Sequence, residues 1–226
     1  FHLLPSLIRP VHPLRDLLAY GHLVREFKNF RPDIVHTHSG KAGLIGRLAA
    51  KRAGVPLIIH SIHGPSFGPF QGRIANALFS EAERFAGSRT DHFITVANAM
   101  RDQYLAAGIG SREDYTQIFS GFPLEPYLAT ENAPSIRKKL GLLNDDFVVG
   151  KIARLFELKG HEDLFAVAPR LAKRVPNIRF LLVGDGVWRE SFERLAKRIG
   201  CEENFVFTGL VTPTDIPSLV RVMDCL

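Results

Sequence analysis

The chain has 226 residues, 46% hydrophobic and 23% charged, which is the composition of an ordinary globular protein. Its formal net charge of +6 is spread along the sequence, whereas a nucleic-acid binder concentrates basic residues in one patch, so nucleic acid is not an expected partner. The two cysteines, Cys201 and Cys225, cannot form a disulfide framework, and no apolar run reaches the roughly 18 residues of a membrane helix. We therefore expect a cytoplasmic protein whose mild basicity suits anionic substrates or peripheral contact with the inner face of a membrane.

Helices and strands alternate in the first part of the chain, which predicts a doubly wound parallel sheet. The first helix places five apolar residues on one face: Leu14, Leu17, Leu18, Val24 and Phe27. The predicted elements, in chain order, are helix Leu14–Phe30, strand Ile34–Thr37, helix Lys41–Ala53, strand Leu57–Ile62, helix Gln71–Phe85, strand His92–Val96, helix Asn98–Ala107 and strand Tyr115–Phe119.

A turn-rich stretch with several prolines follows, at residues 121–134, and predicts a linker. A second alternation then begins, with strand Phe147–Ala153, helix 161–174, strand Ile178–Val183, helix Val187–Ile199, strand Phe205–Phe207 and helix Thr214–Val222. In the helix from Val187, four residues have the spacing of a core face: Trp188, Phe192, Leu195 and Ile199. We predict an α/β protein with two Rossmann-like domains, residues 1–129 and 130–226; one continuous α/β domain is the alternative.

Two cations, Arg154 and Lys159, lie between the strand that begins at Phe147 and the helix that follows it, with Gly160 beside them. The carboxyl end of a strand that leads into a helix is where an α/β fold binds its ligand, and a helix N-terminus favours anions. Arg can bind a phosphate with two hydrogen bonds, while Lys acts as a mobile point charge. The pattern is compatible with a phosphate site and equally with solvated loop charges.

The segment Ile-Ala-Arg-Leu-(x)3-Lys-Gly resembles the start of the second domain in family 4 of the retaining glycosyltransferases, the glycosyltransferase group 1 enzymes, which have the two-domain GT-B fold. The resemblance implies that Arg154 and Lys159 hold the diphosphate of a nucleotide-sugar, with Gly160 at the helix N-terminus. Phe207-Thr-Gly-Leu-Val211 is similar to the family segment whose backbone receives the nucleotide base, which makes Leu210 and Val211 candidates.

The sequence Gly184-Asp185-Gly186 resembles the turn after the second strand of the same family domain. Glycines there allow the backbone to approach a ligand closely, which makes Gly184 and Gly186 candidates for nucleotide-sugar binding. A turn that needs positive φ explains the two glycines equally well. The third glycine of a dinucleotide-binding motif is missing, because Arg189 occupies its place, so no NAD and no other cofactor is expected.

Four histidines lie on or just after the first and second predicted strands: His36, His38, His60 and His63. A metal site is not expected, because no carboxylate or cysteine is placed as a further ligand and His60 and His63 have opposite parity. The segment Ile-His-Ser-Ile-His-Gly resembles the first domain of the same glycosyltransferases, in which the His before Gly faces the donor sugar, and this assigns a catalytic role to His63. Lys41, which opens a helix, is expected to be solvent-exposed.

The resemblance implies transfer of a sugar from a nucleotide-diphosphate sugar to an acceptor hydroxyl, with retention, in glycan or glycolipid synthesis; the acceptor is an unidentified glycan or lipid. Catalysis would depend on His63, Arg154 and Lys159. A GT-B sugar-nucleotide epimerase and a non-catalytic phosphate-binding remnant are the alternatives. The family's first strand with its glycine-rich loop is expected before Phe1, and its pair of glutamates after Leu226. Both domains are therefore expected to be incomplete, and these residues alone to bind nucleoside diphosphate without turnover.

Overall fold

The computed structural model describes residues 2–129, 134–157 and 159–226. The chain forms two compact units, Phe1–Gly121 and Phe122–Leu226. Each unit is of the α/β class and has its own parallel sheet, so the predicted fold class is confirmed and a single continuous domain is not found. The predicted boundary between residues 129 and 130 falls beside residues 130–133, which lie outside the described residues, and stays a prediction.

The first unit contains a four-stranded parallel sheet in the order β1-β2-β3-β4. Along β1, exposure alternates, with Val35 and Thr37 buried and the intervening side chains exposed. This alternation follows from the pleat of a strand with one covered face. The elements of the unit are α1 Pro13–Phe30, β1 Ile34–His38, α2 Gly40–Ala53, β2 Leu57–Ile62, α3 Arg73–Gly87, β3 His92–Thr95, α4 Asn98–Ala106 and β4 Tyr115–Gln117.

Helix α1 exposes much of its predicted apolar face, since Leu14, Leu17 and Leu18 are 71%, 67% and 59% exposed. The helix instead buries Ala19 and places Phe27 against the small core cluster around Val35.

Lys41 is not solvent-exposed as the sequence had suggested, because its side chain is only 18% exposed. Its Nζ donates to Oδ1 of Asp16 at 2.5 Å and to the carbonyl oxygen of Pro10 at 2.7 Å. The ion pair joins α1 to the first turn of α2. The pairing could not be read from the sequence, since it joins residues 25 positions apart.

The second unit contains a three-stranded parallel sheet in the order β5-β6-β7. Its core is aromatic: the rings of Phe165 and Phe205 stack with centroids 4.3 Å apart, and Phe180 stacks on Phe205 at 4.8 Å. The elements of the unit are α5 Glu125–Ala129, α6 Pro134–Lys139, β5 Phe147–Ile152, α7 His161–Arg174, β6 Ile178–Val183, α8 Arg189–Arg198, β7 Phe205–Gly209 and α9 Ile216–Val220.

The predicted core face of α8 is confirmed. Phe192 is buried in the core cluster that contains Phe165, Phe180 and Phe205, and Trp188, Leu195 and Ile199 pack against this cluster. The short helix α5, by contrast, lies within the predicted linker, and α6 follows it in a stretch where no element was predicted. Helix α6 is held by a tertiary contact: buried Arg137 donates to the backbone carbonyls of Leu143, Asp146 and Val222. Within the described ranges, no helix is long and apolar enough to cross a membrane.

Candidate functional site

The three loops that carry the predicted binding residues leave the same edge of the second sheet. Strands β5, β6 and β7 are parallel, so their carboxyl ends share one edge. Backbone hydrogen bonds join the loops directly: Leu155 N–H donates to the carbonyl of Asp185 at 2.9 Å, and Gly184 N–H to that of Gly209 at 3.2 Å. The predicted residues of this unit are therefore brought together at one edge.

Arg154 and Lys159 are both exposed in the loop between β5 and α7. In the part of the chain that the structure describes, neither has a carboxylate within 4.0 Å. The guanidinium of Arg154 lies 5.8 Å from the ring centroid of Phe156, a contact that leaves its donors available. Both positive charges are thus free to meet an anionic ligand.

Gly160 is the N-cap of α7 and has φ 64°, a left-handed conformation that favours glycine. No side chain caps this helix end, so its first N–H groups are not satisfied by a cap. The first turn also carries Glu162 and Asp163, whose negative charges interact favourably with the helix dipole and so stabilise the helix, but repel an anion. An anion bound here therefore depends on the neighbouring cations as well as on the helix.

Sequence reasoning missed two residues at this edge. Lys151, half-buried on β5, reaches the N-terminus of α7 and donates from Nζ to the carbonyl of Gly160 at 3.3 Å. His161 is fully buried, donates from Nε2 to the carbonyl of Arg154 at 3.0 Å, and packs on the ring of Phe192. Lys151 adds a third cation and His161 fixes the loop. A charged residue within an apolar strand was the available signal for Lys151.

The glycines of the Gly184-Asp185-Gly186 turn have a packing role. A Cβ on Gly184, where φ is 135°, would lie 2.3 Å from the carbonyl oxygen of Ala153. A Cβ on Gly186 would lie 2.3 Å from the carbonyl oxygen of Leu155. Both positions need glycine so that this turn can pack against the loop that carries Arg154. The positive φ suggested by the sequence is therefore found at Gly184 but not at Gly186, where close packing alone requires glycine.

The segment after β7 exposes one candidate side chain and packs the other. Leu210 is 86% exposed, whereas Val211 is partly buried against the second core cluster of the unit. Gly209, just before them, has φ 73°, and a Cβ there would lie 2.8 Å from Nη1 of Arg189. The backbone of this segment follows the sheet edge, where main-chain contacts to a ligand would be made.

His63 lies in the first unit, at the carboxyl end of β2. Its Nε2 is hydrogen-bonded to Nδ1 of His38 at 2.9 Å, and the two rings lie edge to edge with centroids 5.2 Å apart. His36 lies beside His38 with ring centroids 4.3 Å apart and is hydrogen-bonded to Ser61 at 2.8 Å. Partial burial, with the neighbouring His38 and His63, lowers the pKa of His36. Three imidazoles therefore adjoin at this edge of the first sheet.

His60 faces the opposite side of the sheet, as its parity had indicated. It is 1% exposed and hydrogen-bonded through Nδ1 to Thr37 at 2.9 Å. Burial, and then the positive charge of Arg47, lower the pKa of His60 from 6.5 to about 3. Among the residues described, no group of three or more His, Cys, Asp or Glu side chains is arranged to hold a metal ion.

Two α/β units, each with a parallel sheet, are the architecture of the GT-B glycosyltransferases to whose solved structures the chain is similar. Residues 1–118 match the family model of the glycosyl transferase 4-like domain, and residues 132–226 match that of the glycosyl transferases group 1. The chain belongs to the group 1 glycosyltransferases, which confirms the family predicted from the sequence.

Relatives and solved structures agree with this family. The chain is 29% identical over 224 residues to UDP-Gal:alpha-D-GlcNAc-diphosphoundecaprenol alpha-1,3-galactosyltransferase of Escherichia coli, covering 97% of this chain and 57% of that protein. It is 26% identical to the putative glycosyltransferase EpsD of Bacillus subtilis, covering 93% and 56%. The crystal structure of HepE from Anabaena with UDP and glucose superposes with a TM-score of 0.75 at 25% identity, covering 96% and 57%. The chain thus spans about half the length of these relatives.

Proposed function

We propose that the chain is the part of a glycosyltransferase that binds a nucleoside-diphosphate sugar, which it uses to glycosylate an acceptor hydroxyl with retention. The observation that carries the proposal is the pair of cations Arg154 and Lys159, beside the N-terminus of α7; among the described residues neither cation has a carboxylate partner and no side chain caps the helix. The solved HepE structures, which contain UDP, UDP and glucose, or UDP-glucose, support the donor class. The related Escherichia coli enzyme acts on a UDP-sugar by its name.

The leaving group explains why cations are needed at this edge. When the bond to the sugar breaks, negative charge accumulates on the β-phosphate of the nucleoside diphosphate. Fixed positive charges stabilise this state more than the intact donor, and that difference accelerates the reaction. Arg154 and Lys159 supply the charge, and Lys151 adds to it from the strand. The side chains themselves can perform this charge stabilisation.

Each remaining candidate has a distinct part in the proposal. Leu210 and Val211 receive the base through their main chain, and the turn at Gly184 and Gly186 supports the phosphate loop. His63, in the first unit, faces the transferred sugar. Retention and the role of His63 are supported by the family resemblance of the Ile-His-Ser-Ile-His-Gly segment.

A binding experiment on the 226-residue chain tests the donor site. Trp188, the only tryptophan, donates its backbone N–H to the carbonyl of Leu155 at 3.2 Å, so its fluorescence reports on the phosphate loop. We expect UDP, GDP or ADP to change this fluorescence. Arg154→Ala and Lys159→Ala should each weaken the preferred nucleotide about tenfold to a hundredfold, since a hydrogen bond to a charged group contributes roughly 1.5–3 kcal/mol.

Lys173→Ala is the matched control, because Lys173 lies in the last turn of α7, at the end of the helix away from the proposed phosphate site. The control should bind nucleotide as the wild type does. Unchanged affinity in both Arg154→Ala and Lys159→Ala would overturn the diphosphate site.

Product analysis with the full-length gene product separates the proposed reaction from its alternatives. Transfer of the sugar to an acceptor supports a glycosyltransferase, whereas conversion of the nucleotide-sugar to its epimer without acceptor supports an epimerase. Nucleotide binding with neither product supports a non-catalytic remnant. The anomeric configuration of the product, read by NMR, tests retention directly.

The acceptor in this proposal is a glycolipid or another lipid-linked molecule, and the enzyme is cytoplasmic and contacts the inner face of a membrane. One surface of the first unit supports such a contact. Helix α3 exposes Ile74, Leu78 and Phe85 on one face by 80%, 66% and 54%, with Arg73 exposed nearby and Arg89 over the ring of Phe85. Apolar side chains flanked by arginines suit an anionic lipid surface.

Co-sedimentation with vesicles tests the membrane contact. Vesicles containing phosphatidylglycerol should bind the chain, and Leu78→Glu should weaken that binding, while vesicles of phosphatidylcholine alone should bind less. Equal binding of Leu78→Glu and wild type would contradict a contact through this face. The related Escherichia coli enzyme, whose name includes a diphosphoundecaprenol, makes a lipid-linked acceptor the first one to try.

A further inference from the structure

The hydrogen bond between His38 and His63 has a geometry that restricts the His63 ring. Strands β1 and β2 are parallel neighbours with His38 in register with Ser61. His38 is the last residue of β1 and His63 follows β2, so both lie at the same edge of the sheet. Nδ1 of His38 and Nε2 of His63 are 2.9 Å apart, and the ring planes are inclined by only 19°. The rings therefore meet edge to edge and nearly coplanar, and this hydrogen bond restricts the orientation of the His63 ring.

No other histidine in this cluster can take over that contact. His36 is turned toward Ser61, to which it is hydrogen-bonded at 2.8 Å. His60 is buried on the other face of the sheet and bonded to Thr37. His38 is thus the residue of the cluster whose ring nitrogen meets His63.

The backbone next to His38 is in an unusual conformation. Ser39 has φ 67° and ψ 159°, a region that is occupied almost entirely by glycine. The carbonyl of Ser39 accepts a hydrogen bond from Gly43 N–H at 2.9 Å, which begins α2. Such strain persists only where the surrounding structure enforces it, and here it lies directly between the end of β1 and the start of α2.

A hydrogen bond between two imidazoles needs one donor and one acceptor, so it couples the protonated nitrogens of both rings. Because Nε2 of His63 is engaged by His38, its Nδ1 is the nitrogen left to meet a ligand. Either ring can be the donor, but in both arrangements the His63 ring is held and Nδ1 is the nitrogen that remains for a ligand.

We propose that His38 is a positioning residue for the glycosyl transfer: it holds the His63 ring through Nε2, so that Nδ1 of His63 faces the reacting sugar. This inference rests on the proposed function for the role of His63 in the reaction. The contact itself can be tested without that role.

The first arm of the test measures tautomers by NMR, using the 226-residue chain with ¹⁵N-labelled histidine. In the wild type we expect the tautomer ratio of His63 to depend on its partner at Nε2. His38→Ala and His38→Gln should change that ratio, because Gln carries its polar group at the position of Nε2 rather than Nδ1. His38→Asn, whose amide overlies the Nδ1 position, should stay closer to the wild-type ratio. His92→Ala, on another strand of the same sheet, should leave His63 unchanged.

The second arm measures transfer by the full-length gene product. Loss of this exposed hydrogen bond in His38→Ala should lower kcat roughly three- to tenfold and leave the KM for the donor unchanged. His38→Asn should recover kcat, whereas His38→Gln should not. An identical His63 tautomer ratio in the wild type and His38→Ala, or no difference between the Asn and Gln variants, would overturn the inference. If the NMR result is as expected but His63→Ala retains full activity, the role of His63 in the proposed function fails while the positioning contact stands.

Discussion

Nη2 of Arg47 and Oε2 of Glu83 lie 2.7 Å apart in the interior of the first unit, with side-chain exposures of 0% and 4%. The pair joins α2 to α3. Arg47 also donates from Nε to the carbonyl of Gly43 at 3.0 Å, while Ser66 donates from Oγ to the other oxygen of Glu83 at 3.0 Å. Because Ser66 belongs to the loop after β2, the pair also anchors the segment that follows His63.

We expect Glu83→Ala to lower the free energy of unfolding by about 3–5 kcal/mol, because it leaves the buried charge of Arg47 without its partner. Glu81→Ala is the matched control, since Glu81 is 68% exposed on the same helix and pairs with Arg84 at the surface. That control should cost less than about 1 kcal/mol. Denaturant unfolding followed by circular dichroism measures both, and equal losses would contradict a structural role for the buried pair.

Ser39→Gly is expected to stabilise the protein by about 1–3 kcal/mol, because glycine adopts φ 67° and ψ 159° without the strain that serine bears. Ser39→Ala should bring no such gain, since alanine is strained there in the same way. Thermal unfolding monitored by calorimetry measures the difference. Equal melting temperatures for Ser39→Gly and Ser39→Ala would mean that the backbone conformation at Ser39 is not strained.

Gly186→Ala should weaken nucleotide binding as well as stability. The added Cβ would lie 2.3 Å from the carbonyl oxygen of Leu155, so the turn after β6 must move away from the loop that carries Arg154. Gly200→Ala is the control: Gly200 has φ 69°, but a Cβ there meets nothing within 4 Å. Gly200→Ala should therefore cost about 1 kcal/mol of stability and leave nucleotide affinity unchanged. Calorimetric titration with UDP compares the two variants, and equal affinities would argue against a link between packing and binding.

His60 should make stability depend on pH on the acid side of neutrality. The pKa of His60 is about 3 in the folded chain and 6.5 in the unfolded chain. Between pH 6.5 and pH 3, the unfolded chain is therefore protonated at His60 and the folded chain is not. The free energy of unfolding therefore falls as pH decreases from 6.5 toward 3, by up to about 1.4 kcal/mol per pH unit from this group.

His60→Asn, which keeps a polar group for Thr37 but does not titrate, should reduce that slope relative to the wild type. His92→Asn is the control, because His92 is hydrogen-bonded to Thr116 at the surface. Unfolding measured at several pH values between 7 and 4.5 gives the slopes, in the range that the two pKa values of His60 define. A His60→Asn variant with the wild-type slope would show that His60 does not carry this dependence.

Local pattern was enough to predict most of the secondary structure. Strands such as β5 and β6 are short runs rich in β-branched and other apolar residues, and α8 repeats its apolar residues at helical spacing. Both signals depend only on residues a few positions apart. Helix α6 was missed because its stability comes from Arg137, which reaches Val222 across 85 positions.

The sequence by itself determined the family, the α/β class and the strand-end placement of Arg154 and Lys159, because these follow from short motifs and from the periodicity of neighbouring residues. Only the tertiary structure decided which face of α1 is buried, that Lys151 reaches Gly160, and that His38 meets His63. Each of these depends on strand register and helix packing, which bring distant residues together and which no local pattern encodes.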